Sequence, residues 1–145
     1  MRLIMVGVTA SCVAVVVAAL LVPQGHVVTL NVLDREGHSH PTQLWIVEID
    51  GLSYLRAGAP DTRWLARLRE RPEVTLDGSR LGDDPTSYCA TPIDDDPVAR
   101  ALVGEAMRAE YGWADSFWGW ISDRTRSVPI RLGPPVDKCR AESSS

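Results

Sequence analysis

From Leu3 to Val22 the chain carries no charged residue. A helix rising about 1.5 Å per residue needs roughly 20 such residues to cross the hydrocarbon of a bilayer. Arg2 and Pro23 bound the run, and the small-residue triplet Val17-Ala18-Ala19 lies inside it rather than beyond it, which favours an uncleaved anchor over a cleaved leader. Cys12, after Thr9-Ala10-Ser11, reads as a small residue within that helix rather than a lipidation site. The expected plan is an anchor over residues 1–24, one folded domain over 25–134 and a disordered, serine-rich tail over 135–145. Arg2 precedes the helix while His26, Asp34 and Arg35 follow it, so the charge bias leans toward an extracytoplasmic domain.

The residues beyond the anchor suffice for one core. A content of 45% hydrophobic and 23% charged residues excludes disorder over most of the length. The net charge of −4, with no Lys/Arg-rich run, argues against nucleic acid as a partner and directs attention to small molecules. Cys89 and Cys139 could pair outside the cytoplasm, but the spacing suggests no disulfide framework, and free thiols are the expectation.

Val27-Val28-Thr29-Leu30-Asn31-Val32 is β-branched and predicts a first strand, ending in Asp34-Arg35-Glu36-Gly37. Leu44 to Ile49 and Leu52 to Leu55 flank Asp50-Gly51, the dipeptide best suited to a two-residue hairpin with positive φ at both positions. Pro60 is expected in the first turn of a helix carrying Trp64, Leu65 and Leu68 at helical spacing until Pro72 stops it. Strands near Glu73 to Leu76 and Ser87 to Ala90 follow. Asp96-Pro97 is a cap and first-turn signature, with Val98, Ala101, Leu102, Ala106 and Ala109 as the predicted buried stripe up to Gly112. Phe117, Trp120 and Ile121 suggest a short helix, and Ser127 to Leu132 a closing strand whose Pro129 implies an edge or bulge. Strands in two blocks with helices between them predict an α+β fold with a curled antiparallel sheet.

The segment Leu44 to Val74, with its hairpin, Arg56-Ala57-Gly58, Trp64-Leu65 and Arg71-Pro72-Glu73-Val74, resembles the deazaflavin-dependent nitroreductase family. Tyr111-Gly112-Trp113 and Asp123-Arg124-Thr125-Arg126-Ser127-Val128-Pro129-Ile130 resemble that family's final helix and strand. The resemblance implies a split antiparallel β-barrel with two to three flanking helices. It also implies hydride transfer from the deazaflavin coenzyme (F-420) or FMN. It places the cofactor phosphate at the positions of Arg35, His40, Thr42, Arg56, Ala57 and Gly58, and names Tyr111 as the hydroxyl donor to charge developing on an acceptor, with Trp113 as a substrate wall. The sequence departs from the family pattern at His38-Ser39-His40-Pro41-Thr42, where an arginine is usual, and in a shortened loop between Arg56 and Trp64.

Together these readings predict a membrane-tethered reductase of quinone- or nitroaromatic-type acceptors, with a homodimer left open. The rival expectation is a non-catalytic envelope module binding a ligand or protein on the same barrel, favoured by the histidine at position 40 and by any bridge between Cys89 and Cys139. No metal is expected: His38-x-His40 lacks a partner at a recognisable spacing, and Asp94-Asp95-Asp96 is accounted for by helix initiation. The arginines at 63, 67 and 71 read as a solvated face.

Overall fold

The computed structural model describes residues 27–78, 84–112, 114–115, 123–134 and 139. Alternation of apolar and polar residues at a period of two governs its architecture. In β1 (Val27–Leu33), Val28, Leu30 and Val32 point inward and are fully buried, while Thr29 and Asn31 face outward. β2 (Ser39–Ile49), β3 (Leu52–Ala57), β4 (Glu73–Asp77), β5 (Thr86–Pro92) and β6 (Val128–Gly133) complete a closed antiparallel barrel in the order β1-β2-β3-β6-β5-β4. The Asp50-Gly51 turn joins β2 to β3 with φ of 52° and 76°, the positive values expected for it, and Ile49 pairs with Leu52 directly across it.

The interior is filled by Leu30, Ile46, Leu55, Leu76 and Ile130, together with Leu65 and Leu68 from α1 (Arg63–Glu70), which closes one end of the barrel. Each such side chain contributes roughly 1.5 to 3 kcal/mol of burial. Pro60 precedes α1 instead of occupying its first turn, because the helix starts one residue after the cap position, Thr62. Pro129 is no edge residue. β6 is flanked by β3 and β5, and closure leaves the sheet without edges.

α2 (Pro97–Tyr111) begins as the sequence indicates: the Asp96 carboxylate accepts from the N–H groups of Val98 at 2.9 Å and Ala99 at 3.0 Å. Its buried stripe keeps Ala106 of the predicted one but is otherwise different. Val103, Met107 and Tyr111, spaced by four, pack on the outer face of β2, whereas Val98 is 66% and Leu102 52% exposed. The larger side chains bury more apolar area than the alanines on the predicted face, and that decides the rotation of the helix.

Cys89 and Cys139 form a disulfide, which corrects the expectation of free thiols. Pairing required only that β5 and the chain's end meet in space, which spacing along the sequence does not report. Cys139 is buried and bonded to β5, so the tail is tied down at this position. The predicted anchor, the segment around Phe117, Trp120 and Ile121, and Trp113 lie outside the described residues. Among the described residues, no helix is long and apolar enough to cross a membrane.

Candidate ligand pocket on the outer face of the barrel

Because strand residues alternate faces, Gln43 and Trp45 on β2 and Arg56 on β3 point out of the barrel, while Leu44, Ile46, Leu55 and Ala57 belong to its interior. The outward residues meet Met107 of α2 and Val27 of β1 around a cavity of about 440 Å³, lined also by Leu44 and Gly58. That volume falls within the range of small-molecule sites. One lining residue is aromatic: Trp45, which stacks on the buried Tyr111 with ring centroids 4.5 Å apart and planes 7° from parallel.

Of the residues expected to hold a cofactor, the structure brings Arg56 and Gly58 to this cavity. Ala57 is buried in the core, one register position off the outward face. Thr42 lies opposite Leu30 and shares its side of β2 with Leu44 and Ile46, so its parity turns it away from the cavity. Arg35 is 80% exposed and forms a two-point contact with Glu70 of α1, at 3.2 Å from Nε and 2.6 Å from Nη2. His40 lies 2.8 Å from the Asp34 carboxylate.

Tyr111 is fully buried and donates its hydroxyl to the Ile46 carbonyl at 2.7 Å. In this structure the ring of Tyr111 stacks on Trp45. The residues the sequence reading missed are Val27, Gln43, Leu44, Trp45 and Met107, together with Asp115. The outward, bulky Trp45 beside an inward Leu44 was the available signal for the first group, being apolar on both faces of one strand. Asp115 had none.

Arg56 and Asp115 form an ion pair across 59 residues of sequence, with the Arg56 side chain 15% exposed and Asp115 fully buried. Removing one partner from such a pair leaves an uncompensated buried charge, at a cost of about 3 to 5 kcal/mol. The pair matters for an implied flavin-type cofactor, whose ring and phosphate pose separate demands. The ring fits: Trp45, Met107 and Val27 supply an apolar, partly aromatic wall. The phosphate does not, because Arg35, His40 and Arg56 each already face a carboxylate of this chain. Thr62 at the start of α1 keeps a buried hydroxyl without a hydrogen-bond partner, but a hydroxyl alone does not balance a phosphate's charge.

At the β1–β2 turn Asp34 receives His40, the N–H groups of Glu36 at 3.0 Å and His38 at 2.9 Å, and the nearby His38 imidazole at 3.4 Å. The His40 hydrogen bond first, then the two backbone donors and the His38 charge, hold the Asp34 carboxyl far below its ordinary range against a smaller opposing effect of burial. Asp34, Glu36 and His38 offer ligand atoms within 4.8 Å of one another, a proximity the sequence spacing did not reveal. Internal hydrogen bonds account for the arrangement of Asp34.

No family model and no curated protein matches this chain. Solved structures do share its fold. An F420-H2 dependent reductase (FDR-A) is 18% identical with a TM-score of 0.56, the alignment covering 74% of this chain and 94% of that one. A putative pyridoxamine 5'-phosphate oxidase from Listeria innocua is 13% identical with a TM-score of 0.54, covering 81% and 90%. HutZ, the heme storage protein from Vibrio cholerae, is 13% identical with a TM-score of 0.59, covering 78% and 84%. The six-stranded barrel is therefore the split barrel that the sequence resemblance implied, shared with F420 reductases and pyridoxamine-phosphate-oxidase-like proteins.

Proposed function

We propose that this barrel binds the planar ring of a flavin- or deazaflavin-class redox molecule against Trp45, and that it acts as an oxidoreductase on a lipophilic quinone- or nitroaromatic-type acceptor beside the membrane to which residues 1–24 tether it. The observation that carries the reading is the cavity of about 440 Å³ lined by Trp45, whose ring stacks on Tyr111. A reduced ring of this class supplies the hydride when bound, so the chain's work is to orient reactants and exclude water. Trp45 and Met107 offer the ring two apolar surfaces. Tyr111 holds Trp45 in place and is a positioning residue. The F420-H2 dependent reductase on the same fold supports the class of reaction.

A second reading is favoured by two observations. The neutralised Arg56 and the Cys89–Cys139 bond, which suits an oxidising compartment, support a non-catalytic extracytoplasmic module that holds a small ligand in the same cavity. The heme storage protein among the structures that share the fold supports the holding of a small ligand as a use of this barrel.

Titrating the full-length protein in detergent with riboflavin, FMN and reduced deazaflavin coenzyme, followed by menadione-coupled oxidation, separates the two. The oxidoreductase reading expects tryptophan quenching that Trp45→Ala abolishes, together with reoxidation of the ring. Absence of both signals with all three ring compounds removes that reading and leaves the binding module.

A further inference from the structure

Resting on the ligand-binding reading just given, we propose that Asp115 makes the pocket selective for ligands whose end at Arg56 is uncharged: planar, carbonyl-bearing aromatics rather than phosphorylated or sulfonated ones. Arg56 is the one cation among the described residues lining the cavity; Val27, Gln43, Leu44, Trp45, Gly58 and Met107 carry no charge. Its guanidinium is matched by the fully buried Asp115 carboxylate, so the described lining residues together with Asp115 present no net positive charge to a ligand. An anion entering at Arg56 meets the field of Asp115 in a poorly screened environment. If it displaces that carboxylate, it breaks a buried ion pair that the neutral ligand leaves intact. A neutral carbonyl oxygen meets neither obstacle. Arginine carries five N–H donors, and the contact to Asp115 is made through Nη2, so a ligand oxygen can accept from the fork without disturbing the ion pair. Gln43, outward on β2, offers both an amide donor and an acceptor beside it.

Two matched ligand pairs test this charge rule on the full-length protein in non-ionic detergent. Riboflavin and FMN share one ring and differ by a phosphate; naphthoquinone and its sulfonate share another and differ by one negative charge. Binding is read as tryptophan quenching, with Trp45→Phe subtracting any signal not from the pocket. The expected result is that riboflavin binds at least as tightly as FMN and naphthoquinone about tenfold or more tightly than its sulfonate. Asp115→Asn then shifts both ratios about tenfold toward the anion, a change equivalent to 1.4 kcal/mol. Anionic members binding about tenfold more tightly than neutral ones in the unaltered protein overturn the proposal. Should Asp115→Asn fail to fold by circular dichroism, the unaltered protein's ratios decide alone. The doubly neutral Arg56→Gln/Asp115→Asn protein, expected to keep the neutral preference, gives the second arm. Quenching by the quinone pair in the expected order with silence from both flavins keeps the charge rule and removes the flavin reading. Silence from all four removes both.

Discussion

Trp45 and Tyr111 come from a strand and a helix 66 residues apart, yet their rings stack nearly parallel at 4.5 Å while the Tyr111 hydroxyl reaches the carbonyl of Trp45's neighbour Ile46 at 2.7 Å. One side chain thereby ties α2 to the barrel and backs the Trp45 ring that lines the pocket.

Separating the two contacts of Tyr111 gives the first prediction. Tyr111→Phe keeps the stack and removes the donor to a buried carbonyl, for an expected loss of about 1 to 3 kcal/mol in chemical denaturation. Tyr111→Ala removes the ring as well, for about 3 to 5 kcal/mol. Ligand quenching of Trp45 should survive the first change and fall sharply in the second; equal binding by both variants would show that the stack does not shape the pocket.

The disulfide closes a sequence separation of 50 residues, for which loop-closure entropy gives about 4 kcal/mol. Cys139→Ser, or reduction of the unaltered protein, should lower the melting temperature by about 10 °C or more in thermal circular dichroism. An unchanged melting temperature on reduction would mean that the bond does not constrain the unfolded chain.

The two faces of α2 should respond differently to truncation. Leu102 is half-exposed and Met107 fully buried, so Leu102→Ala is expected to change stability by no more than about 0.5 kcal/mol, and Met107→Ala to cost about 2 to 5 kcal/mol. At the helix start, Asp96→Ala should cost about 1 kcal/mol through its two lost backbone contacts. Urea unfolding of the three variants checks the set, and a larger loss at Leu102 than at Met107 would place the wrong face against β2.

Asp34 sets an acid dependence of defined sign. Its carboxyl is held well below its ordinary 3.8, chiefly by His40 and then by the N–H groups of His38 and Glu36. A group whose pKa is lowered by folding stabilises the native state above its unfolded pKa. That contribution is lost as the pH falls from about 4 through the folded value. The urea midpoint should therefore decline below about pH 4, and Asp34→Asn should flatten the decline while lowering the midpoint at neutral pH. A variant whose midpoint falls as steeply as that of the unaltered protein would assign the acid sensitivity to other carboxylates.

Local chemistry alone determined several features of this protein. Asp50-Gly51 accepts positive φ at both positions, so it makes a hairpin wherever the chain goes. Asp96-Pro97 starts a helix because both residues suit an N-terminus, and the alternation through Val28, Leu30 and Val32 commits β1 to one buried face. The positions of Arg56 and Gly58 beside a cavity were legible through resemblance, but their electrostatic setting was not. Closing the sheet into a barrel decided the rest. Register parity turned Thr42 and Ala57 away from the pocket. The size of Met107 and Tyr111 rotated α2 off its predicted face, and packing brought Asp115 to Arg56 and Cys139 to Cys89. Those contacts join residues about 50 or more positions apart, and their energies exist only once the chain is closed, so no window along the sequence contains them.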